Sequence, residues 1–306
     1  MHDISVSVVV LTYNHENFIL EALNSIESQD FSNIELIIGD DASSDDTRTL
    51  IEAFEKKSRL RFKKNFSKEN VGITRNLNSC LSLCSGNIIF LLGGDDLFLP
   101  GKISAQVSHF LNDSSISISY HDVEVFDSDS NRTLYYYNDI HGRQEGGASV
   151  LVERGAFNCG SSVAIKNINL PMCDERIKYA SDWLWYIEVL MGSGGEIKFL
   201  DGIYARYRRH ENNVTGNSKL SQQYNEIMFS LDVVESKYSV LKQIAVKARS
   251  ERTFAFSIKY MMTGEYRKSL RLFIMALRLN ALSPLFFLRI RIRRVFQELR
   301  RFCLGG

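Results

Sequence analysis

The sequence predicts an α/β fold: an open, mainly parallel sheet flanked by helices, with a helical C-terminal extension. Three observations predict it. Val6–Thr12, Ile34–Gly39 and Asn87–Leu92 are almost unbroken apolar runs, as expected of strands buried on both faces. The segments between them space their apolar residues three or four apart, the helical period. Strands that alternate with helices favour parallel pairing through right-handed crossovers.

Each element follows from its own pattern. After the first strand, Val6–Thr12, the segment Glu16–Ser28 sets Phe18, Leu20, Ala22, Leu23 and Ile26 at roughly helical spacing. Ile34–Gly39 is the second strand, and Ser43 or Ser44 stands where it can cap the next helix, with acids in the first turn. Leu60–Phe66 reads as a third strand. Thr74–Cys84 reads as a helix with Leu77, Cys80, Leu81 and Cys84 on one face, and Asn87–Leu92 is the fourth strand. The pattern then changes. Ser117–Phe126 and Arg132–Tyr137 flank the polar turn Asp127–Asn131, as in a hairpin. Ser161–Ile165 and Ile197–Arg206 read as further strands, with a helix from about Asp182 to Met191 between them. Beyond about Ser218 the pattern is helical. The expected division is a domain over 1–215 and a helical region over 216–306.

Composition fits a globular protein, with 44% hydrophobic and 24% charged residues. The net charge of +1 hides an asymmetry. Residues 264–306 carry ten Lys/Arg against two acids, a balance of +8, so residues 1–263 stand at −7. An acidic body with a basic tail points to an anionic partner for the tail, and not to nucleic acid, which calls for positive charge over the body. The five cysteines (Cys80, Cys84, Cys159, Cys173 and Cys303) are odd in number and contain no CxxC pair, so neither a disulfide framework nor a zinc ribbon is expected. Without an N-terminal charged-then-apolar signal or a run of about 18 apolar residues, the expected location is the cytoplasm.

In open α/β sheets, ligands bind beyond the carboxyl ends of the strands. Three polar clusters fall there: Thr12-Tyr13-Asn14-His15, Asp40-Asp41-Ala42-Ser43-Ser44-Asp45-Asp46, and Gly93-Gly94-Asp95-Asp96. Adjacent carboxylates at a buried sheet edge repel, and a divalent cation such as magnesium or manganese, shared with phosphate oxygens, relieves that repulsion. The alternative for Asp95-Asp96 is a solvated acidic turn. For Asp45-Asp46 the favoured reading is acids at a helix N-terminus. The chain has neither GxGxxG after the first strand nor GxxxxGK[ST], which argues against a dehydrogenase-type dinucleotide site and a P-loop.

The segments SVVVLTYNH, ELIIGDDASSDDT, NVGITRNLN and GNIIFLLGGDD, in this order, resemble the signature of family 2 glycosyltransferases, strongly over about residues 4–112 and loosely over 113–215. The resemblance implies the GT-A fold, a Rossmann-like mixed sheet. It implies transfer of a sugar from a nucleotide-sugar donor with inversion, Mn2+ or Mg2+ as cofactor, and a donor-binding set beginning with Thr12, Tyr13 and Asn14. Asp41 matches the acid that reads the nucleotide base, and Tyr13 the aromatic residue beside it. Asp95 matches the position that meets ribose and Asp96 the position that meets metal, while Gly94 leaves the first position of the DxD triplet without a carboxylate. The family's catalytic base lies roughly 80–100 residues after the DxD, where Tyr179-Ala180-Ser181-Asp182-Trp183 fits and Asp182 is the candidate. Asp174 and Glu175 are rivals, and a helix cap is the alternative role for Asp182. In the later segment from Tyr207 to Thr215, Arg208 and Arg209 are expected near the diphosphate and His210 as a second metal ligand. Cys159-Gly160-Ser161-Ser162 is expected to line the acceptor side.

In the tail, Leu285, Leu288, Ile292, Val295, Leu299 and Phe302 recur on one helical face, with arginines mostly elsewhere. That is the pattern of a basic helix lying at an anionic membrane surface; the alternative is a helix packed on the catalytic domain with a solvated arginine face. The membrane pattern suits a lipid-linked saccharide acceptor, as in bacterial O-antigen or capsule assembly, and peripheral association with the inner face of the cytoplasmic membrane. Two other readings compete: a sugar-phosphate nucleotidyltransferase, which would need a glycine-rich basic loop that Tyr13-Asn14-His15 does not supply, and a non-catalytic nucleotide-sugar-binding scaffold.

Overall fold

The computed structural model describes residues 4–178, 181–211 and 220–282. Its contacts divide the chain into two compact units, Met1–Ser218 and Lys219–Gly306.

The first unit is built on one sheet. Its N-terminal half alternates β1 (Val6–Thr12), α1 (Ile19–Glu27), β2 (Ile34–Asp40), α2 (Thr47–Glu55), β3 (Arg61–Phe66), α3 (Ile73–Leu81) and β4 (Ile88–Gly93). These four strands pair in parallel in the order β3-β2-β1-β4. β1, β2 and β4 are buried almost throughout, which is why their sequences lack alternation. Val6, Val8 and Val10 meet Leu36, Ile38, Phe90 and Leu92 in a core closed by Ile19, Ala22, Leu23 and Ile26 of α1.

The second half makes the sheet mixed. It runs β5 (Leu97–Phe98), α4 (Lys102–Asn112), β6 (Ile116–Asp127), β7 (Thr133–Tyr136), α5 (Tyr137–His141), α6 (Ala148–Arg154), β8 (Ala164–Lys166), α7 (Ser181–Ser193) and β9 (Glu196–Arg209). β8 pairs antiparallel to β4 and β6, β9 lies parallel to β6, and β5 lies antiparallel to β9. The expected hairpin is β6–β7, with Asn131 in the left-handed region at φ 54°. β8 and β6 separate β4 from β9 in the sheet, and the segment after β4 is joined to the end of β9 through Asp96 and Arg208.

Several expectations shift. Ser43 and Ser44 do not cap α2: Ser43 bonds Asp40, and Ser44 N donates to Asn14 Oδ1 at 2.8 Å. The helix starts at Thr47, whose N and Oγ1 both donate to Asp45 Oδ1, at 3.0 and 2.6 Å. Gly160–Ser162 is a 3-10 turn, so β8 begins later than the expected strand. β5, α4, α5 and α6 are short or weakly periodic and had no clear sequence signal.

The second unit is helical: α8 (Leu220–Lys237), α9 (Lys242–Met262) and α10 (Tyr266–Leu279). Leu220, Phe256 and Tyr260 form a core with Tyr224, Ile227 and Leu272. Gly264, at φ +78°, makes the turn between α9 and α10, a conformation other residues adopt at a cost.

One buried acid ties the base of the parallel strands together. Glu35 in β2 is 2% exposed. It accepts from Ser7, from Ser85 Oγ at 2.7 Å and Gly86 N at 3.0 Å, and it pairs with Lys63 Nζ at 2.9 Å. Burial alone would raise its carboxyl, but the bonds from Ser7, Lys63 and Ser85 outweigh burial and hold it at about 2. A depressed folded-state value means that this stability is present above the ordinary carboxyl range and is lost as pH falls toward 2. Glu35→Ala is expected to cost about 3 kcal/mol at neutral pH, and Glu35→Gln to flatten the loss of stability below the ordinary value of 4.5. Urea unfolding of both variants across acidic pH checks this.

Candidate active site

The loops after β1 and β2 are joined by reciprocal bonds. Asn14 N donates to Ser43 Oγ at 2.8 Å and His15 N to Thr47 Oγ1 at 2.9 Å. Glu16 N donates to Asp45 Oδ2 at 3.0 Å, and Asp46 N donates back to Glu16 Oε2 at 2.9 Å. Asn14 (φ 55°) and Ala42 (φ 62°) are both left-handed, turning the chain sharply just beyond the strand ends. Tyr13 is left 45% exposed at the rim. Asp40, against Arg48, is structural. Asp41 accepts from Val71 N at 2.7 Å and Gly72 N at 2.9 Å, which fixes the loop leading into α3. Thr12, Tyr13, Asn14 and Asp41 therefore lie together at the carboxyl edge of the parallel strands.

The Asp95-Asp96 pair follows β4, and its two side chains diverge. Asp95 Oδ2 lies 3.0 Å from His210 Nε2, both side chains being mostly buried. Asp96 is 2% exposed. Its Oδ2 accepts from Ser161 Oγ and its Oδ1 from Arg208 N at 3.0 Å. Burial, and then the charge of Asp95, push the Asp96 carboxyl well above the ordinary range. Burial would raise Asp95 as well, but the His210 bond and the nearby His15 outweigh it and hold Asp95 low. The structure thus puts His210 against Asp95, where Asp96 was the expected metal ligand; the Asp96 oxygens are taken by Ser161 and the β9 backbone. Ser161, expected on the acceptor side, braces Asp96. Its signal in the sequence was only its place in a short polar turn.

Arg208 and Arg209 are successive residues of β9 and so point to opposite faces. Arg208 is buried. Its Nε donates to the Asp95 carbonyl at 2.8 Å, its Nη2 to Glu21, and its guanidinium lies over the rings of Phe18 and Phe126. These contacts hold the β4–β5 turn onto α1. Arg209 Nη2 donates to Tyr135 OH at 3.3 Å and its guanidinium covers the Tyr207 ring at 5.0 Å.

Asp182 stands at the start of α7. Thr74 Oγ1 donates to Ile177 O at 2.6 Å, and Asn78 exchanges two bonds with Cys173. α3 therefore fixes the segment leading into α7. The rivals are engaged elsewhere: Asp174 pairs with Arg176 and Glu175 with Arg75, in exposed positions for the most part. Asp182, partly buried, accepts from Trp183 N at 2.9 Å, and burial raises its carboxyl above the usual value. Cys159 links the two acidic centres: burial, then Asp96 and also Asp182, raise its thiol strongly. Tyr137, Tyr207 and Cys159 pack together beside it. These tyrosines were not singled out in the sequence, where tyrosines carry no periodic signal.

The residues present fit a divalent cation in part. No group of three or more His, Cys, Asp or Glu side chains is arranged around a point among the described residues. Asp95 and His210 supply one oxygen and one nitrogen donor, and a cation of this kind takes further ligands from phosphate and water. Two buried polar atoms beside them, Thr12 Oγ1 and His15 Nδ1, have no hydrogen-bond partner, an arrangement that buried polar groups rarely keep without a ligand or water. Burial and His210 hold the His15 imidazole below its ordinary value.

Glycine is required where these groups converge. A Cβ on Gly94 would stand 2.8 Å from both Thr12 Cβ and Oγ1 and 2.9 Å from His15 Nδ1. Gly94→Ala is expected to destabilise the fold by about 1–3 kcal/mol. Gly160→Ala, where a Cβ meets nothing within 4 Å, is expected to stay within about 0.5 kcal/mol. Denaturant titration of the two variants distinguishes them.

Comparison with known proteins agrees with this architecture. The chain is 25% identical over 247 residues to the Escherichia coli UDP-Glc:alpha-D-GlcNAc-diphosphoundecaprenol beta-1,3-glucosyltransferase WfaP, covering 79% of this chain and 88% of that protein. It is 29% identical over 211 residues to an uncharacterized Mycobacterium tuberculosis protein, covering 68% of this chain but only 60% of the relative's length. Among solved structures it superposes on S. aureus TarS 1–349 in complex with UDP-GlcNAc, with TM-score 0.66 at 19% identity over 99% of this chain and 92% of that one. It also superposes on the Pyrobaculum calidifontis mannosyltransferase PcManGT in complex with GDP-Man and Mn2+, with TM-score 0.61 at 15% identity over 98% of this chain and 83% of that one. The fold is the GT-A arrangement. The profile of "Glycosyl transferase family 2" matches residues 7–165, from β1 through β8, and the chain belongs to that family.

Proposed function

We propose that this chain transfers a sugar, with inversion, from a UDP-sugar to a hydroxyl of a lipid-linked saccharide in the assembly of a bacterial surface polysaccharide of O-antigen or capsule type. What supports the reading is the match to the family over residues 7–165 together with the mostly buried Asp95–His210 pair and the partly buried, raised carboxyl of Asp182. The names of WfaP and of the TarS complex support a UDP-linked donor, and that of WfaP a polyprenyl-diphosphate acceptor.

In this reading the loop after β1 and Asp41 seat the nucleoside, with Tyr13 beside the base. Mn2+ or Mg2+, when bound, neutralises charge on the leaving diphosphate; Asp95 and His210 would hold it, while Asp96 and Arg208 keep that pair in register. Asp182 accepts the proton of the attacking hydroxyl. A carboxyl raised by burial is a stronger base than an ordinary one, and it must be ionised to act. The tail over residues 284–306 lies outside the described residues; its basic amphipathic sequence supports peripheral attachment to an anionic membrane surface. No helix among the described residues is long and apolar enough to cross a membrane.

Calorimetric titration with UDP tests the donor site. Wild type is expected to bind with manganese and to lose binding in EDTA, and Asp95→Ala to weaken binding at least about tenfold. Absence of UDP binding under both conditions would remove the uridine assignment, with GDP and dTDP as the next ligands to titrate. Asp182→Asn should keep UDP affinity and lose about 10²–10⁴-fold in transfer rate. The wild-type rate should fall on the acid side with an apparent value above the 3.8 of an ordinary aspartate. Equal transfer by Asp182→Asn and wild type would exclude Asp182 as base.

A further inference from the structure

α10 exposes an unusual combination of side chains. Ala276 is the one residue of the helix that is fully buried, against the rest of the second unit. On the side away from it, Arg267, Arg271 and Arg278 fall in one stripe, because their spacings of four and seven residues return to the same helical face. All three are exposed. None makes an ion pair among the described residues, whereas Lys268 is paired with Glu265 at 2.6 Å. Apolar side chains flank the stripe on both sides: Leu270 (60% exposed) and Ile274 on one, Met275 and Leu279 on the other. Residues 266–282 contain no Asp or Glu.

Exposed apolar side chains in a contiguous row mark a contact surface, and the charge decides with what. A second copy of this chain, docked symmetrically, would set one arginine stripe against another, which is unfavourable. An anionic lipid surface satisfies both features: phosphates at the depth of the guanidinium groups, and acyl chains for the flanking Leu, Ile and Met side chains.

We propose that the outer face of α10 is a membrane-binding surface, selective for anionic lipid and separate from the tail over 284–306. It deepens the reading of a lipid-linked acceptor, but it is measured without catalysis. Each exposed basic residue near an anionic bilayer is worth roughly fivefold in partitioning, so loss of three corresponds to about a hundredfold.

The test is co-sedimentation of the full chain with vesicles of phosphatidylcholine alone and of phosphatidylcholine mixed with phosphatidylglycerol, at low and high salt. Wild type should bind the anionic vesicles far better, and less so at high salt. The variant Arg267→Glu/Arg271→Glu/Arg278→Glu should lose at least about a hundredfold. Leu270→Ser/Ile274→Ser should also bind more weakly but keep the salt dependence. UDP titration of each variant reports whether the first unit remains intact. Variants that sediment like wild type would overturn the proposal and leave attachment to the tail alone. A wild-type dimer in sedimentation velocity that Leu270→Ser/Ile274→Ser dissolves would overturn it in favour of self-association. Failure of UDP binding in every protein would sink the donor reading while leaving the vesicle result standing.

Discussion

The site depends on one buried carboxylate. Asp96 is sealed beneath the surface, where it accepts from Ser161 and from the backbone N–H of Arg208. It therefore joins the end of β4 to the end of β9 and to the 3-10 turn before β8. A buried carboxylate is costly unless its oxygens are satisfied, and the geometry that satisfies Asp96 also sets where Asp95 and His210 meet. Arg208 completes the joint by reaching the Asp95 carbonyl and Glu21 of α1. Two strands distant in sequence are thereby held at one point.

The parallel half of the sheet was legible because burial on both faces leaves a strong mark: few polar residues can be tolerated in β1, β2 or β4, and the runs stand out. The hairpin β6–β7 was legible from its polar turn. The short elements β5, α5 and α6 were not, since a few residues cannot establish a period. The cap of α2 was misjudged because Ser43 turns back to Asp40 and Ser44 answers to the distant Asn14, in place of the helix they precede.

The site was legible as a set of residues more than as an arrangement. Thr12, Tyr13, Asn14 and Asp41 follow β1 and β2, Asp95 follows β4 and meets His210 after β9, and Asp182 stands at the start of α7. Which of two adjacent aspartates meets His210 depends on how the chain turns after β4, and nothing in the pair of letters records that. The same holds for Arg208 and Arg209: strand alternation sends one inward and one to the tyrosines, so two neighbouring cations acquire unrelated tasks. Ser161 and Glu21 became visible only when partners distant in sequence were brought together.

The stitched loops after β1 and β2 have a consequence for how a ligand arrives. Bonds between backbone and side chain cross the two loops at Asn14–Ser43, His15–Thr47 and Glu16–Asp46, so each loop restricts the other. A ligand that seats against them loses little affinity to ordering the protein. Discrimination at these loops is then a matter of fit to a rigid template, and a ligand of the wrong outline is refused at encounter and not after a rearrangement.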